Sequence, residues 1–237
     1  MDEKLEIPFK KLKEQVVVVG SGPAGFFAAL VLQEAGFNVT LIERGSEVIK
    51  RAKSISTFEK TGKFDARNNY AFGEGGAGTF SDGKLTSRSK RISKEKKFIT
   101  DNYIEAGAPA EIGYMAHPHL GTDNLRKLVK NLREKFESRG GKILFETLLE
   151  DFIIKNSKVT EVVTSNGNLP ADVLFVAPGH SAYETYRMLM QRGVQFRTKN
   201  FAMGSRMEHR QEIINLAQKK KKKLPGVKAA EYRITSP

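Results

Sequence analysis

Four consecutive valines, Val16–Val19, run directly into the glycine pattern Gly20-x-Gly22-x-x-Gly25. A continuous apolar run of this length is typical of a strand that is buried on both faces. The first glycine permits a tight turn, the second lets a ligand approach the backbone, and the third lets the next helix pack closely. The pattern therefore predicts a strand, a turn and a helix whose N-terminus faces an anionic ligand.

An acidic residue follows these glycines at the distance expected for a dinucleotide site. The predicted second strand, Asn38–Ile42, ends at Glu43, roughly 20 residues beyond the glycines, where a carboxylate typically accepts hydrogen bonds from a ribose diol. A helix is predicted over Pro23–Glu34, because proline favours the first turn and Gly36 lies just past its end. Together these features predict an α/β nucleotide-binding fold, but the glycines alone do not separate FAD from NAD(P).

The composition excludes several classes of protein. The 237 residues contain no cysteine, which excludes a disulfide framework, a thiolate metal site and a redox-active thiol pair. Any redox chemistry must therefore come from a bound cofactor. The sequence has no apolar run of the roughly 20 residues that a membrane span needs. Its charged start, Met1–Lys4, is unlike a secretory signal, so a cytoplasmic location is expected.

The net charge of +13 comes partly from one run of five lysines, Lys219–Lys223. The run is either a solvated loop or a contact for nucleic acid or another acidic surface. No aromatic residues interleave it and no nucleic-acid motif accompanies it. We therefore expect a small-molecule substrate and neither a membrane nor a nucleic-acid partner, with a nucleic-acid contact at the lysine run as the alternative. The oligomeric state is left open.

A second glycine-rich segment contains five glycines between Gly73 and Gly83, which predicts irregular backbone held close to another group. The stretch Gly78–Lys84 nearly matches a phosphate-binding P-loop. That motif needs Ser or Thr after the lysine to hold Mg²⁺, and Leu85 stands there instead. A nucleoside triphosphatase is therefore disfavoured.

The rest of the chain alternates helical and strand patterns. Helices are predicted within 46–66, over 93–107 and over Asp123–Ser138, Ala182–Arg192 and Arg210–Ala217. Strands are predicted over Lys142–Phe145, Leu149–Lys155, Lys158–Thr164, Val173–Ala177 and Phe201–Gly204, with a hairpin turn at Asn166-Gly167. We therefore expect an α/β domain over residues 1–194, with a mostly parallel sheet and a β-meander, and the start of another domain over 195–237.

The histidines suggest one candidate contact. His180 follows Pro178-Gly179 at the carboxyl end of a predicted strand, where ligands collect in open α/β sheets. His117 and His119 would point the same way on a strand, but no cysteine or clear carboxylate partner completes a metal site. We expect no metal, and we expect these two histidines in a loop near the entrance of the active site.

Four stretches resemble the uncharacterised bacterial FAD-dependent dehydrogenases, which belong to the flavoproteins with two dinucleotide-binding domains. They are Phe72–Leu85, His117–Asp123, Ala177–Ala182 and Met203–His209. The resemblance implies a Rossmann-like FAD/NAD(P)-binding fold with FAD in an extended pose. It also implies an oxidoreductase that transfers hydride between an unknown substrate, or NAD(P)H as a second nucleotide, and the flavin.

The resemblance also implies roles for particular residues. The pyrophosphate would be lined by Gly20, Ser21, Gly22, Pro23, Ala24 and Gly25. Glu43 would hold the adenosine ribose with Arg44 beside it, and Arg51 would contact a phosphate or the ribose. The flavin or its ribityl chain would be approached by Gly75, Gly76, Ala77, Gly78, Thr79 and Ser81.

Three further positions follow from the same resemblance. The backbone at Leu149 would bracket the adenine, and Ala177 and Gly179 would pass near the flavin side of the glycine turn. Lys84 is either a surface lysine or a positive charge near the flavin. The catalytic residue is left unknown, with Lys84 and His180 as candidates.

The chain departs from the family pattern in one respect. Such flavoproteins carry a late Gly-Asp segment whose Asp binds the ribityl chain, and no Gly-Asp occurs in this sequence. We therefore expect an N-terminal portion of a longer flavoprotein, with 1–194 lacking its Gly-Asp segment and 195–237 beginning an incomplete substrate domain. The alternative is a truncated, non-catalytic dinucleotide-binding module.

Overall fold

The computed structural model describes most of the chain, namely residues 4–81, 83–85, 89, 91–115, 120, 122–201, 203–205, 207–227 and 229–232. The chain divides into two compact units, one up to Val194 and one from Gln195. No helix among these residues is long and apolar enough to cross a membrane.

A four-stranded parallel sheet organises the first unit. Its strands are β1 (Gln15–Val19), β2 (Asn38–Ile42), β3 (Lys142–Leu144) and β7 (Val173–Val176), in the order β3-β2-β1-β7. The valine strand is central, pairing in register with β2 on one side and β7 on the other. The predicted parallel α/β fold is thereby confirmed.

The valines of β1 alternate between two cores, because successive side chains of a strand point to opposite faces. Val16 and Val18 pack in a cluster with Phe26, Leu30 and other residues of the helices on one face. Val17 and Val19 pack on the other face against a cluster that includes Leu149 and Val162. A strand sandwiched in this way carries apolar residues at every position, which explains the unbroken valine run.

The second face is covered by the predicted β-meander. It consists of β4 (Leu149–Lys155), β5 (Lys158–Thr164) and β6 (Gly167–Pro170), paired antiparallel in that order. Asn156 and Ser157 both adopt positive φ in the first turn, as a two-residue hairpin requires. The meander lies in the crossover connection between β3 and β7, two parallel strands of the sheet.

The helices of the first unit are α1 (Pro23–Glu34), α2 (Val48–Thr61), α3 (Ser93–Glu105), α4 (Thr122–Ser138) and α5 (Tyr183–Gln191). Short 3₁₀ turns span Ala77–Phe80 and Ala110–Gly113. In the second unit, α6 spans Gln211–Lys219, as predicted to within two residues. The predicted strand Phe201–Gly204 is wrong for the residues described, since Phe201, Met203 and Gly204 belong to no strand.

Candidate functional site

The carboxyl ends of three strands meet at one edge of the parallel sheet. Gly20 follows β1, Glu43 follows β2 and Ala177 follows β7, and all three line one cleft of about 480 Å³. This is the edge at which open α/β sheets bind ligands, and the volume is in the range of small-molecule sites. Of the residues predicted to hold the cofactor, the cleft is lined by Gly20, Gly22, Pro23, Ala24, Glu43, Arg44, Gly76, Ala77, Gly78, Leu149, Ala177 and Gly179.

The three glycines of the turn have different surroundings. A Cβ at Gly20 would overlap the carbonyl oxygen of Ala177, and a Cβ at Gly25 would overlap the carbonyl oxygen of Gly20. These two glycines therefore permit close packing within the protein. A Cβ at Gly22 would meet only the Cα of Gly76, at an ordinary 3.7 Å, so this position has space on the cleft side.

The glycine-rich segment lies directly against this turn. A Cβ at Gly76 would come within 2.9 Å of the Cα of Gly22, and Gly76 has a φ of +68°. Only glycine therefore lets the segment approach so closely. The following residues, Ala77 and Gly78, also line the cleft.

Glu43 is buried and accepts four hydrogen bonds from the chain itself. Its Oε2 accepts from the N–H and Oγ of Ser21, at 3.0 and 2.7 Å, and its Oε1 accepts from the N–H groups of Gly45 and Gly73, at 2.9 and 3.0 Å. A carboxylate offers about four lone-pair positions, so the chain occupies all of them. The ribose contact of Glu43 stays a prediction, and it would have to compete with these donors.

Arg44 lines the cleft, and two neighbouring side chains hold its guanidinium. Its guanidinium stacks over the ring of Phe72 at 4.0 Å and pairs with Glu184 at the start of α5. The Nε of Arg44 is buried and has no hydrogen-bond partner within the described part of the chain. A buried donor without an acceptor costs about 1–3 kcal/mol.

The structure corrects the role of Arg51. This side chain is 0% exposed, does not line the cleft and donates to backbone carbonyl oxygens of residues 69–76. Burial lowers the pKa of Arg51 to about 10, opposed by the nearby Glu43 and Glu74. A direct contact of Arg51 with phosphate or ribose is wrong for this arrangement, because the guanidinium faces the protein's own carbonyls.

Several predicted residues surround a different, smaller cavity of about 140 Å³. It lies between α1 and α4, and its lining includes Ser21, Gly75, Thr79, Ser81 and the candidate Lys84. Gly78 and Pro23 line both spaces. The structure therefore places only part of the glycine-rich segment at the main cleft. Asp82 falls outside the described residues.

A buried ion pair closes the smaller cavity on one side. Glu74 is 2% exposed, accepts a hydrogen bond from Arg133 Nε of α4 at 2.7 Å and another from the N–H of Val48 at 2.6 Å. Burial raises the pKa of Glu74, and its two donors oppose that change. The pair ties the segment to α2 and α4.

The loop after β7 and the first turn of α5 supply cleft residues to which the sequence analysis gave no individual role. Ser181, Ala182, Thr185 and Tyr186 line the cleft beside His180, and the hydroxyl of Tyr186 donates to the carbonyl of Gly179 at 2.9 Å. Their position after Pro178-Gly179, at a strand's carboxyl end, was the available signal. Phe72, Thr147 and Leu148 also line the cleft, next to predicted residues.

Metal binding receives no support from the residues that the structure describes. They contain no group of three or more His, Asp or Glu side chains placed to hold an ion. His117 and His119, predicted to lie in a loop near the active-site entrance, fall outside the described residues.

Comparisons with known proteins agree with this geometry. The family described as "FAD binding domain" matches residues 13–170. An uncharacterised protein of Clostridium beijerinckii is 43% identical over 98% of the chain, and the chain covers 44% of its length. A thiamine thiazole synthase of Aeropyrum pernix is 29% identical over 78% of the chain, and 61% of its length is covered. The chain thus spans less than two thirds of these relatives.

A solved structure, THI4 of Thermovibrio ammonificans, is 16% identical to the chain. The likeness covers 77% of this chain and 64% of that one, with a TM-score of 0.47. The family match over residues 13–170 confirms the predicted flavoprotein resemblance and FAD as the cofactor.

Proposed function

Because the chain belongs to the FAD binding domain family, we propose that it forms the FAD-binding part of an oxidoreductase. The observation that carries the proposal is the cleft at the carboxyl edge of the sheet. There the turn glycine Gly22 leaves space, and the charged side chain of Arg44 lines the same cleft. Both features suit a group with a pyrophosphate and further oxygen acceptors.

The residues of the cleft divide the work of binding. At the N-terminus of α1, the N–H groups of Gly22 and Ala24 and the positive end of the helix dipole would face the phosphates, while the N–H groups of Gly20 and Ser21 donate within the protein. Arg44 adds a charged donor, and Leu149 supplies an apolar wall. Gly76–Gly78 form the opposite wall of the same cleft.

FAD supplies the hydride chemistry when bound, and the protein orients it and tunes its charge. The substrate is a small molecule or NAD(P)H in this proposal. His180 lines the cleft and Lys84 lines the neighbouring cavity, so His180 is the better placed of the two catalytic candidates. The cytoplasmic location and the lack of nucleic-acid and membrane partners belong to the same proposal.

The test is an absorption spectrum of the purified chain after addition of FAD and removal of free flavin. Retained flavin bands support the proposal, and a folded, colourless protein contradicts it for this chain. Anaerobic addition of NADH or NADPH then separates two functions. Bleaching of the bound flavin indicates an oxidoreductase that uses NAD(P)H, whereas bound but unreduced flavin excludes NADH and NADPH as the reductant and leaves a small-molecule substrate or the non-catalytic module.

A further inference from the structure

One buried guanidinium donates hydrogen bonds to several backbone carbonyls at the start of the glycine-rich segment and just before it. The side chain of Arg51, on α2, is 0% exposed. At distances of 2.7–3.2 Å its nitrogens donate to the carbonyl oxygens of Asn69, Tyr70, Gly73, Glu74 and Gly76. The path of this stretch is therefore set by a side chain about 20 residues earlier in the sequence.

Glu43 holds the same segment from the other side. The N–H of Gly73 donates to Glu43 Oε1 at 3.0 Å, while the carbonyl of Gly73 accepts from Arg51 Nη1 at 3.2 Å. Oε2 of Glu43 accepts two hydrogen bonds from Ser21, in the glycine turn after β1. The two oppositely charged side chains thus link the glycine-rich segment to the glycine turn after β1.

The packing around this link leaves little room. A Cβ at Gly73 would overlap the side chain of Arg51, and a Cβ at Gly45 would come within 2.5 Å of the Cα of Gly73. A few residues later, Gly76 rests against Gly22. A shift of the segment at Gly73 would therefore move the wall of the cleft formed by Gly76–Gly78.

We propose that Arg51 is a positioning residue for FAD, which holds residues 69–76 between its guanidinium and Glu43 so that Gly76–Gly78 form the cleft wall. The inference rests on the proposed function, because the cleft is taken to be the FAD site. Arg51 acts through the backbone and contacts no ligand.

The geometry requires arginine in particular. A guanidinium presents five N–H donors in a rigid plane, so it can reach carbonyls on several sides. A lysine ammonium has three donors around one point and cannot span five carbonyls. If only the buried positive charge between Glu43 and Glu74 mattered, lysine would serve equally well.

The experiment compares Arg51→Lys with a control, Lys53→Met, which removes a positive charge from an exposed position of the same helix. FAD affinity is measured by fluorescence titration at a temperature where circular dichroism shows both variants folded. Amide hydrogen exchange is followed at Gly73 and Gly76, and at Val17 and Leu41 in the sheet. These exchange rates are readouts independent of activity.

We expect Arg51→Lys to weaken FAD binding by about tenfold or more, which is 1.4 kcal/mol, and to speed exchange at Gly73 and Gly76 only. The control should remain within about twofold of the unmodified chain in both measurements. Unchanged affinity in Arg51→Lys, or exchange that rises equally in the sheet, overturns the proposal.

A substitute variant and the exchange measurement allow the role of Arg51 to be tested separately from the proposed function. If Arg51→Lys does not fold, Gly76→Ala replaces it, since its Cβ would push the segment away from Gly22 and displace a carbonyl that Arg51 holds. FAD affinity within about twofold in that variant also overturns the proposal. If the unmodified chain binds no FAD, the proposed function fails, and exchange at Gly73 still reports on Arg51.

Discussion

Gly22 and Gly76 lie against each other at the lining of the cleft, and their tolerance of a side chain differs. A Cβ at Gly76 would come within 2.9 Å of the Cα of Gly22, whereas a Cβ at Gly22 would meet the Cα of Gly76 at 3.7 Å. The glycine-rich segment thus needs its glycine to reach the turn. Gly22, in the turn, instead leaves room for a ligand in the cleft.

The first prediction concerns Gly22→Val. Its Cβ would lie at an ordinary 3.7 Å from the Cα of Gly76, and its methyl groups would enter the space assigned to the pyrophosphate, so we expect a smaller effect on the melting temperature than on FAD binding. FAD affinity should fall by about 100-fold, or ~2.7 kcal/mol. Fluorescence titration and a thermal melt measure the two effects.

Gly113→Ala is the matched control for this variant. Its Cβ would meet the side chain of Ile104 at 3.8 Å, away from the cleft. This control should leave FAD affinity unaltered. Unchanged FAD binding in folded Gly22→Val would refute the assignment of the cleft.

The second prediction is that Gly25→Ala acts on stability. The added Cβ would overlap the backbone oxygen of Gly20, which cannot move without disturbing the turn after β1. Overpacking of this kind costs about 1–3 kcal/mol. Chemical denaturation of the chain without ligand should show this loss. A stability equal to that of the unmodified chain would mean that α1 can shift away from the strand.

The third prediction concerns the buried carboxylate. Glu43→Gln replaces one acceptor oxygen by an NH₂ donor, which would face either the donors of Ser21 or those of Gly45 and Gly73. Buried donors without acceptors cost about 1–3 kcal/mol each, so both stability and FAD affinity should fall.

A suitable comparison is Glu150→Gln, at an exposed position of β4. Denaturant midpoints and FAD titrations of the two variants measure the effect of burial. Equal stability of the two variants would show that the four hydrogen bonds of Glu43 contribute nothing measurable.

The fourth prediction is a pH dependence from Tyr103, which lines the smaller cavity and packs edge-on against Phe27. Burial raises the pKa of Tyr103 from 10.0 to about 12. The folded state therefore holds this proton more tightly than the unfolded state. The raised pKa of Tyr103 therefore lowers the free energy of unfolding as pH rises from about 10 to about 12.

Tyr103→Phe should remove that part of the alkaline loss, while Tyr114→Phe, at a residue 79% exposed, should keep it. Urea denaturation of all three proteins at pH 9 to 12 measures the difference, with pH values set around the shift above. Parallel curves for the unmodified chain and Tyr103→Phe would contradict the burial of this hydroxyl.

Local chemistry sufficed for the elements that build the nucleotide fold. The helix Pro23–Glu34 and the strand Asn38–Ile42 have the predicted bounds, because proline, glycine and apolar runs act within a few residues. The meander followed from its turns at Asn156 and Gly167 for the same reason. The predicted strand at Phe201 failed, since a strand exists only when a partner pairs with it.

The sequence by itself determined that a glycine turn, a helix N-terminus and an acid would meet at one edge of a parallel sheet. It could not determine what each charged side chain would face there. The spacing assigned Glu43 to the ligand, and the family resemblance assigned Arg51 to it. In the tertiary structure Glu43 accepts hydrogen bonds from Ser21, Gly45 and Gly73, and Arg51 donates to backbone carbonyls of residues 69–76. That choice depends on which distant segment fills the space beside each charge, because a buried ion is stable only with partners that folding brings to it.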